Sequence, residues 1–363
     1  MLLDNRQYIS QLKTMIEQSD VPWDELDGKS VLISGAAGML GSGAVDALVY
    51  CNEYMGMHID IYALGRTVSK IEKRYGSICG REYFHVVEAD VVQPFEFDFP
   101  VDYIIHAASN ANPYMFANYP VDTLLGNVTG TDHFLEYART HGTKRFLYVS
   151  SGEMYGQPDA SDERLKDGFY ESYCGSVDYS DPRSCYPSGK RAAETLCQSY
   201  ISQYDMEAVI VRPCHCYGPT QTESDTRAVS QFIRMGIAGE DIVLKSDGSL
   251  ERTHCYVVDA VQAMYLVLLK APNGEAYNIA DNRSDASIRV LAETISEVSK
   301  KQVIFDIPDS VDKKGFSKVT RAVLNGKKLV DIGWKPIWDL KAGIQSTIEI
   351  MRTEEAGLNK GAK

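Results

Sequence analysis

The sequence predicts an α/β fold: a doubly wound parallel sheet followed by a smaller C-terminal lobe. Three observations carry this. From residue 30 onward, short apolar or β-branched runs alternate with helical stretches. Strands separated by helices pair in parallel through right-handed crossovers. The runs are apolar throughout rather than alternating, as in a sheet covered on both faces. Finally, the first run enters a glycine-rich turn that opens a helix.

The elements follow in order. Residues 4–19 place Tyr8, Ile9, Leu12, Met15 and Ile16 at helical spacing, which reads as an amphipathic helix packed outside the core domain. Val21-Pro22-Trp23 then leads to Asp27-Gly28, a turn signal. Strands are expected at Val31–Ile33, Ile59–Leu64, Phe84–Val87, Tyr103–Ile105, Phe146–Val149 and Ala208–Val211. Helices are expected between them at 39–52, 114–140 and 186–204. Beyond Val211 the rhythm degrades, and Pro213, Gly218-Pro219 and the polar run Thr220–Thr226 mark a long loop. Further helices are expected near 227–238, 259–270, 288–300, 325–332 and 340–352. The expected organisation is an N-terminal helical extension (1–29), a core domain (30–212), a lobe with some elements returning to the sheet (213–353) and a frayed tail (354–363).

Composition narrows the function. The 363 residues carry 37 Lys+Arg against 50 Asp+Glu, a net charge of −13. That balance argues against nucleic-acid and anionic-membrane partners, which need a basic surface. Apolar residues at 44% and charged residues at 24% are ordinary for a globular chain and exclude disorder. No apolar run approaches the roughly 18 residues of a membrane span. The opening Met1-Leu2-Leu3-Asp4-Asn5-Arg6 breaks its apolar run at once and does not read as a signal peptide. The eight cysteines include no Cys-x-x-Cys pair, and Cys214-x-Cys216 is too close for zinc-finger spacing. They read as buried free thiols in a reducing cytoplasm, with no metal site.

The glycine turn is Gly35-Ala36-Ala37-Gly38-Met39-Leu40-Gly41. A strand-to-helix turn of this kind aims backbone N–H groups and a helix dipole at a pyrophosphate. Gly35 allows the turn, Gly38 lets the backbone approach the phosphates, and Gly41 lets the helix pack on the sheet. This makes 30–212 a dinucleotide-binding domain of Rossmann type. The second strand ends Tyr62-Ala63-Leu64-Gly65-Arg66, without the acid that normally binds the adenosine ribose. Arg66 either pairs with a 2′-phosphate, which keeps NADP open, or is solvated and stacks on adenine. Asp90 suits either the adenine edge or a turn cap.

Cys185-Tyr186-Pro187-Ser188-Gly189-Lys190 opens a helix. Tyr186 and Lys190, four apart, point the same way. A nearby ammonium is expected to lower the phenol's pKa. Ser150-Ser151-Gly152-Glu153-Met154-Tyr155-Gly156 ends the preceding strand on the carboxyl side of the sheet, where such sites form.

With these motifs, together with His106-Ala107-Ala108 and Asn127-Val128-Thr129-Gly130-Thr131, the chain resembles the extended short-chain dehydrogenase/reductase family over residues 30–352. This is the family of the nucleotide-sugar epimerases and dehydratases. Residues 1–29 lie outside the pattern. Within the family, three stretches resemble the UDP-glucuronate decarboxylases. One is His106-Ala107-Ala108-Ser109 with Pro113-Tyr114-Met115 and Asn118-Tyr119-Pro120, the second is Ser151-Gly152-Glu153, and the third is Asp181-Pro182-Arg183-Ser184-Cys185-Tyr186, continuing through Gly189-Lys190-Arg191-Ala192-Ala193-Glu194-Thr195.

The resemblance implies a bound NAD, held through Gly35, Gly38, Met39, Leu40, Gly41, Ala107, Ala108, Asn127 and Lys190, with Arg66 and Asp90 at the adenosine end. It implies a nucleotide-diphosphate sugar as substrate. Tyr186 takes the proton of the sugar 4-hydroxyl, Lys190 tunes Tyr186, and Ser151 shares the hydrogen bond. The resulting 4-ketone can be reduced from the other face, lose water, or lose CO2 if C6 is a carboxylate. Glu153 favours decarboxylation first, since epimerases of the family usually lack this carboxylate. Dehydration comes second, because Gly152 replaces the Asp of the usual Asp-Glu pair, and epimerisation third. Arg252 is expected near the substrate's charged groups, and His215 stands where relatives carry an asparagine for the diphosphate. A homodimer is implied through helices 114–140 and 186–204, with Phe116, Phe134, Leu135, Leu196 and Tyr200 as candidate contacts, some of them facing the sheet instead. Two rival readings are a cofactor-binding protein without catalysis and a reductase consuming free NADPH. The intact Ser151, Tyr186 and Lys190 argue against the first.

Overall fold

The computed structural model describes residues 1–95, 97–159, 161–307 and 320–361. The strands are β1 (Ser30–Ser34), β2 (Asp60–Gly65), β3 (Phe84–Glu88), β4 (Tyr103–His106), β5 (Arg145–Val149), β6 (Ala208–Pro213), β7 (His215–Tyr217), β8 (Ile242–Leu244), β9 (Glu251–Tyr256), β10 (Ala276–Ile279), β11 (Asp285–Ser287), β12 (Val303–Phe305) and β13 (Arg321–Ala322). The helices are α1 (Arg6–Gln18), α2 (Met39–Met55), α3 (Val68–Tyr75), α4 (Pro113–Asn118), α5 (Pro120–Thr140), α6 (Cys185–Tyr204), α7 (Ala228–Ala238), α8 (Val257–Lys270), α9 (Ile288–Ser299), α10 (Lys327–Asp331) and α11 (Leu340–Gly361).

Seven strands form one sheet in the order β10-β6-β5-β4-β1-β2-β3, with every pairing parallel. The apolar runs of the sequence are explained by the two faces of this sheet. Val31 and Ile33 of β1 pack with Ala44, Leu48 and Val261 from α2 and α8. Leu32 between them points the other way, into a cluster with Phe134 of α5 and Ala193 of α6. Alternate side chains thus meet different helix layers, so no position on the strand favours a polar residue. α8 and β10 belong to this layered body although they follow the long loop. Gly43 lets α2 and α8 approach closely, since an added Cβ would stand 2.9 Å from Val261 Cγ2.

The smaller lobe is built on β9, which pairs with β7, β11 and β13, and on the β8–β12 pair. α1 packs against α2 and α8. Asn5 caps it by accepting from the Gln7 and Tyr8 amides. Tyr8 then donates to Asp46 at 2.8 Å, and Gln11 accepts from Tyr256 at 2.6 Å. No described helix is long and apolar enough to cross a membrane.

Two local expectations change, and the candidate dimer contacts divide between sheet and surface as foreseen. The single helix foreseen over 114–140 is two, broken at Tyr119, whose φ of −135° and ψ of 56° reflect the steric demand of Pro120 on the residue before it. The foreseen tail is helical as far as Gly361, while Ala362 and Lys363 lie outside the described residues. Among the suggested dimer contacts, Phe134 and Leu135 are fully buried against the sheet, and Phe116 is buried beside Tyr186. The apolar residues left on the outer face of α5 are Val121, Leu124 and Leu125.

Candidate active site

A crevice opens where β1 and β4 lie side by side and their chains leave in opposite directions, the usual ligand position in such sheets. On one wall is the glycine turn. Gly35 has φ +71°, and an added Cβ would press on Ala107 and Ala108 at 3.0 Å. Gly41 is tighter still: its Cβ would stand 2.2 Å from the Gly35 carbonyl oxygen. Gly38 begins α2 with no side chain capping it, so the first amides of the helix remain available to an anion. A side chain at Gly35 or Gly41 would collide with backbone, so only glycine lets the turn close this tightly, and the uncapped helix amides it presents fit a dinucleotide pyrophosphate. Ser34 ties its rim together. The Oγ accepts from the amides of Ala107 and Ala108, each at 3.1 Å, and meets His106 Nδ1 at 2.7 Å. Burial, then the Lys190 charge, depresses His106 to about 3, so the ring is neutral.

At the adenosine end, Leu64 is buried and Arg66 is exposed at the end of β2. Asp90 accepts from the Val92 amide at 3.2 Å, a turn-capping bond. Asn127 is buried; its amide donates to Thr123 and its Oδ1 accepts from Ser109 at 3.0 Å.

The opposite wall is the start of α6. Gly189 brings this helix against α5, an added Cβ standing 3.0 Å from Asn127 Cβ. Tyr186 is 4% exposed, and its ring stacks on Phe116 with centroids 4.3 Å apart. Lys190 is 2% exposed. Its Nζ donates to the Val149 carbonyl at 2.8 Å and lies 5.7 Å from the Tyr186 ring centre. The expected tuning of the phenol by this ammonium is not the dominant effect. Burial pushes Tyr186 up to about 12. A hydrogen bond from Ser151 opposes it first, Glu153 adds to it, and Arg227 and Ser109 oppose it further. Lys190 is itself depressed to about 7 by burial, which Glu194 and Cys197 partly offset. Removing a charge from water outweighs attraction at this depth.

Ser151 caps the short turn Gly152–Tyr155 by accepting from the Glu153 amide at 3.2 Å. Gly152 packs against Leu324, where a Cβ would come within 2.9 Å of Cδ2. Glu153 is exposed to solvent at the start of this turn, and the protein packed near its carboxyl desolvates it only in part. That desolvation raises its carboxyl above the ordinary range, against the pull of Arg252 and then Arg183. Arg252, on β9, is 5% exposed and donates to the carbonyls of Glu251 and Thr320. The β7–β9 pairing sets His215 beside His254, ring centres 6.1 Å apart. Burial first, then Arg252, holds His215 well below its usual range. It is therefore a neutral ring, with Nδ1 buried and unpartnered among the described residues.

The structure thus brings Ser151, Glu153, Tyr186, Lys190, Arg252 and His215 toward one crevice, with the glycine turn beside it. Three further residues were not assigned to the site from the sequence. Arg227, held by Asp225 in a fork at 2.6–3.1 Å, points its Nη2 toward Met39 Sδ at 3.6 Å and acts electrostatically on Tyr186. Ser109 and Phe116 bracket Tyr186. The only sequence signal for Arg227 was its place at the end of the polar run after Pro219; Ser109 stood in the His106-Ala107-Ala108-Ser109 stretch without a role of its own, and Phe116 was read as a dimer contact. Among the described residues, no group of three His, Cys, Asp or Glu could hold a metal ion.

Comparison with known proteins places this site in context. The profile of the NAD dependent epimerase/dehydratase family matches residues 31–280. UDP-glucuronic acid decarboxylase 1 of Danio rerio is 31% identical over 353 residues, covering 96% of this chain and 79% of the relative. UDP-glucuronic acid decarboxylase 6 of Arabidopsis thaliana is 32% identical over 320 residues, 86% of each chain. Among solved structures, an epimerase of Methanothermobacter thermautotrophicus superposes with a TM-score of 0.76 at 22% identity, covering 93% of this chain and 96% of that one.

Proposed function

The chain belongs to the NAD dependent epimerase/dehydratase family, and we propose that within it the protein is a UDP-glucuronate decarboxylase working through a transient 4-keto sugar. It is a nucleotide-sugar enzyme that uses NAD. The bound cofactor supplies reversible hydride uptake at C4. The rest of the chemistry falls to the chain's own side chains. The Tyr186 oxygen receives and returns the 4-hydroxyl proton, with Ser151 sharing the hydrogen bond. Because the phenol is held near 12, it keeps its proton at neutral pH until the return step calls for it. As a base it needs a cationic neighbour, and Lys190 stands on the same helix face.

The observation that carries the decarboxylase reading is Glu153 facing buried Arg252 beside Tyr186. An arginine fork suits a sugar carboxylate or the diphosphate. A carboxyl held above its usual range keeps a proton to higher pH, as is needed to protonate C5 after CO2 leaves. Gly152 supports this ordering. It offers no second carboxylate beside Glu153, and its contact with Leu324 leaves little room for one.

The test is direct. Purified protein is incubated with UDP-, GDP-, CDP- and dTDP-sugars, and product masses are read. Loss of CO2 from UDP-glucuronate supports the reading. Loss of water from another sugar makes the protein a 4,6-dehydratase, and an isomer of unchanged mass makes it a 4-epimerase.

The reading extends to assembly and setting. The protein is a homodimer joined through the outer faces of α5 and α6, where Val121, Leu124 and Leu125 are exposed. Light scattering of a monomer at micromolar concentration would refute this. The eight cysteines are unpaired; Cys79 and Cys214 are half-buried and Cys174 is exposed, against the expectation that all are buried, and free thiols suit a reducing compartment such as the cytoplasm.

A further inference from the structure

The two halves of the crevice come from distant parts of the chain. Ser151 and Glu153 sit on the turn after β5, and Tyr186 and Lys190 on α6. A buried polar bridge joins them. Glu194 lies one turn beyond Lys190 on α6 and is 7% exposed. Both its oxygens are taken by Arg212 of β6, Nε to Oε1 at 3.0 Å and Nη2 to Oε2 at 2.6 Å. The remaining Arg212 nitrogen, Nη1, donates to the Tyr155 hydroxyl at 2.8 Å and to the Glu171 carbonyl at 2.7 Å. Tyr155 closes the turn that begins at Ser151, and its hydroxyl donates to Asn278 Oδ1 at 2.7 Å. Arg191, also on α6, donates to the carbonyls of Met154, Tyr155 and Gly175.

The surroundings of Lys190 give this bridge a second role. From α6 it is faced by Tyr186, Glu194 and Cys197, from β5 by the Tyr148 ring and the Val149 carbonyl, and from β4 by His106. Burial keeps His106 uncharged, and it pushes the Tyr148, Tyr186 and Cys197 protons up. Glu194 is the one anion among these groups. Its charge is already balanced by Arg212, so it supports the ammonium without drawing it away from Val149.

We infer that Glu194 and Arg212 are a positioning pair: Glu194 supplies the counter-charge of Lys190, and Arg212 locks Glu194 while fastening the Ser151–Tyr155 turn to α6. This rests on the reading of Lys190 as a residue of the reaction centre. The pair does not touch substrate. It sets the protonation of Lys190 and the distance between the two catalytic halves. A purely structural ion pair would move stability alone, whereas this one moves the titration of a residue neither partner bonds.

The test follows that titration in the full chain. Lysine carrying 13C at Cε is incorporated, and the Lys190 resonance is identified by its loss in Lys190→Met. In Glu194→Gln the Lys190 midpoint falls by about one pH unit, the usual scale for losing a nearby opposite charge. In Arg212→Met, where Glu194 is no longer neutralised, the midpoint rises. Breaking one side of a buried pair can unfold a protein, so the double variant Glu194→Gln/Arg212→Met, which buries no unpaired charge, decides alone if a single variant fails; its midpoint falls, by less than in Glu194→Gln, because the nearer Glu194 charge is lost and the Arg212 charge goes with it. An unmoved midpoint in the double variant, or shifts of the same sign in both single variants, overturns the inference. Turnover of a nucleotide sugar by Lys190→Met would instead remove Lys190 from the reaction centre, and would leave the titration result standing.

Discussion

The Tyr186 ring lies on the Phe116 ring with centroids 4.3 Å apart and planes 18° from parallel. The stack holds the phenol by its carbon face and leaves its oxygen to Ser151 and Ser109. Tyr186→Phe therefore keeps the stack and removes only the oxygen. Turnover of the nucleotide sugar should fall by roughly 10²–10⁴-fold, the usual contribution of a general acid–base group. NAD affinity, read by titration, should stay nearly unchanged. Turnover retained within about tenfold would show that another group moves the proton.

Gly41 gives the sharpest test of the cofactor cradle. A Cβ there would stand 2.2 Å from the Gly35 carbonyl oxygen, and that backbone cannot yield cheaply. Gly41→Ala should cost about 1–3 kcal/mol of stability, the range for overpacking. The purified variant should also retain much less NAD than the parent. Full NAD occupancy at an unchanged Tm would show that the turn is not held as described.

Lys190 links catalysis to pH. Its folded pKa, about 7, lies below the ordinary lysine value near 10.5. Between these values the unfolded chain binds the extra proton, so stability rises with pH across that window. Below about 7 both states are charged and the full penalty of burial is present. Lys190→Met removes that penalty, and each unit of depression is worth about 1.4 kcal/mol. The variant should melt higher than the parent at pH 6, and the difference should shrink by pH 10. An equal difference at both pH values would mean that the buried ammonium is not the cause.

Glu153→Gln separates chemistry from binding. In a decarboxylase, CO2 release should slow by about tenfold or more, while oxidation at C4 continues and the absorbance of reduced nicotinamide accumulates. In a dehydratase the same change should block exchange of the C5 hydrogen with deuterium from solvent. Unchanged turnover would make Glu153 structural and move the 4-epimerase reading to first place.

The bound cofactor should be NAD. A recycling enzyme gains nothing from a 2′-phosphate, and the exposed Arg66 at the end of β2 is the single residue arguing otherwise. Mass spectrometry of the extracted cofactor decides, and a 2′-phosphate would overturn the choice.

Which features the sequence determined by itself follows from the range of the forces involved. Apolar runs such as Val31–Ile33 pair through their own backbone, and their side chains need only meet some apolar layer on each face. The spacing of Gly35, Gly38 and Gly41 acts within a single turn, and Tyr186 and Lys190 share a helix face by helical geometry alone. All of these were legible from neighbours within a few residues. Even so, the break at Tyr119 shows a local rule, the constraint imposed by Pro120, overriding a continuous helical pattern. The tertiary structure decided what depends on depth and on distant partners. Ser109 and Phe116 reach Tyr186 from some seventy residues away, Arg227 arrives from the loop after Pro219, and His254 is set beside His215 by the pairing of β7 with β9. The protonation of the site belongs to the same class. The sequence placed an ammonium near a phenol, but the cost of burying each charge drove the phenol up and the ammonium down, and that cost depends on the packing of the whole domain around them.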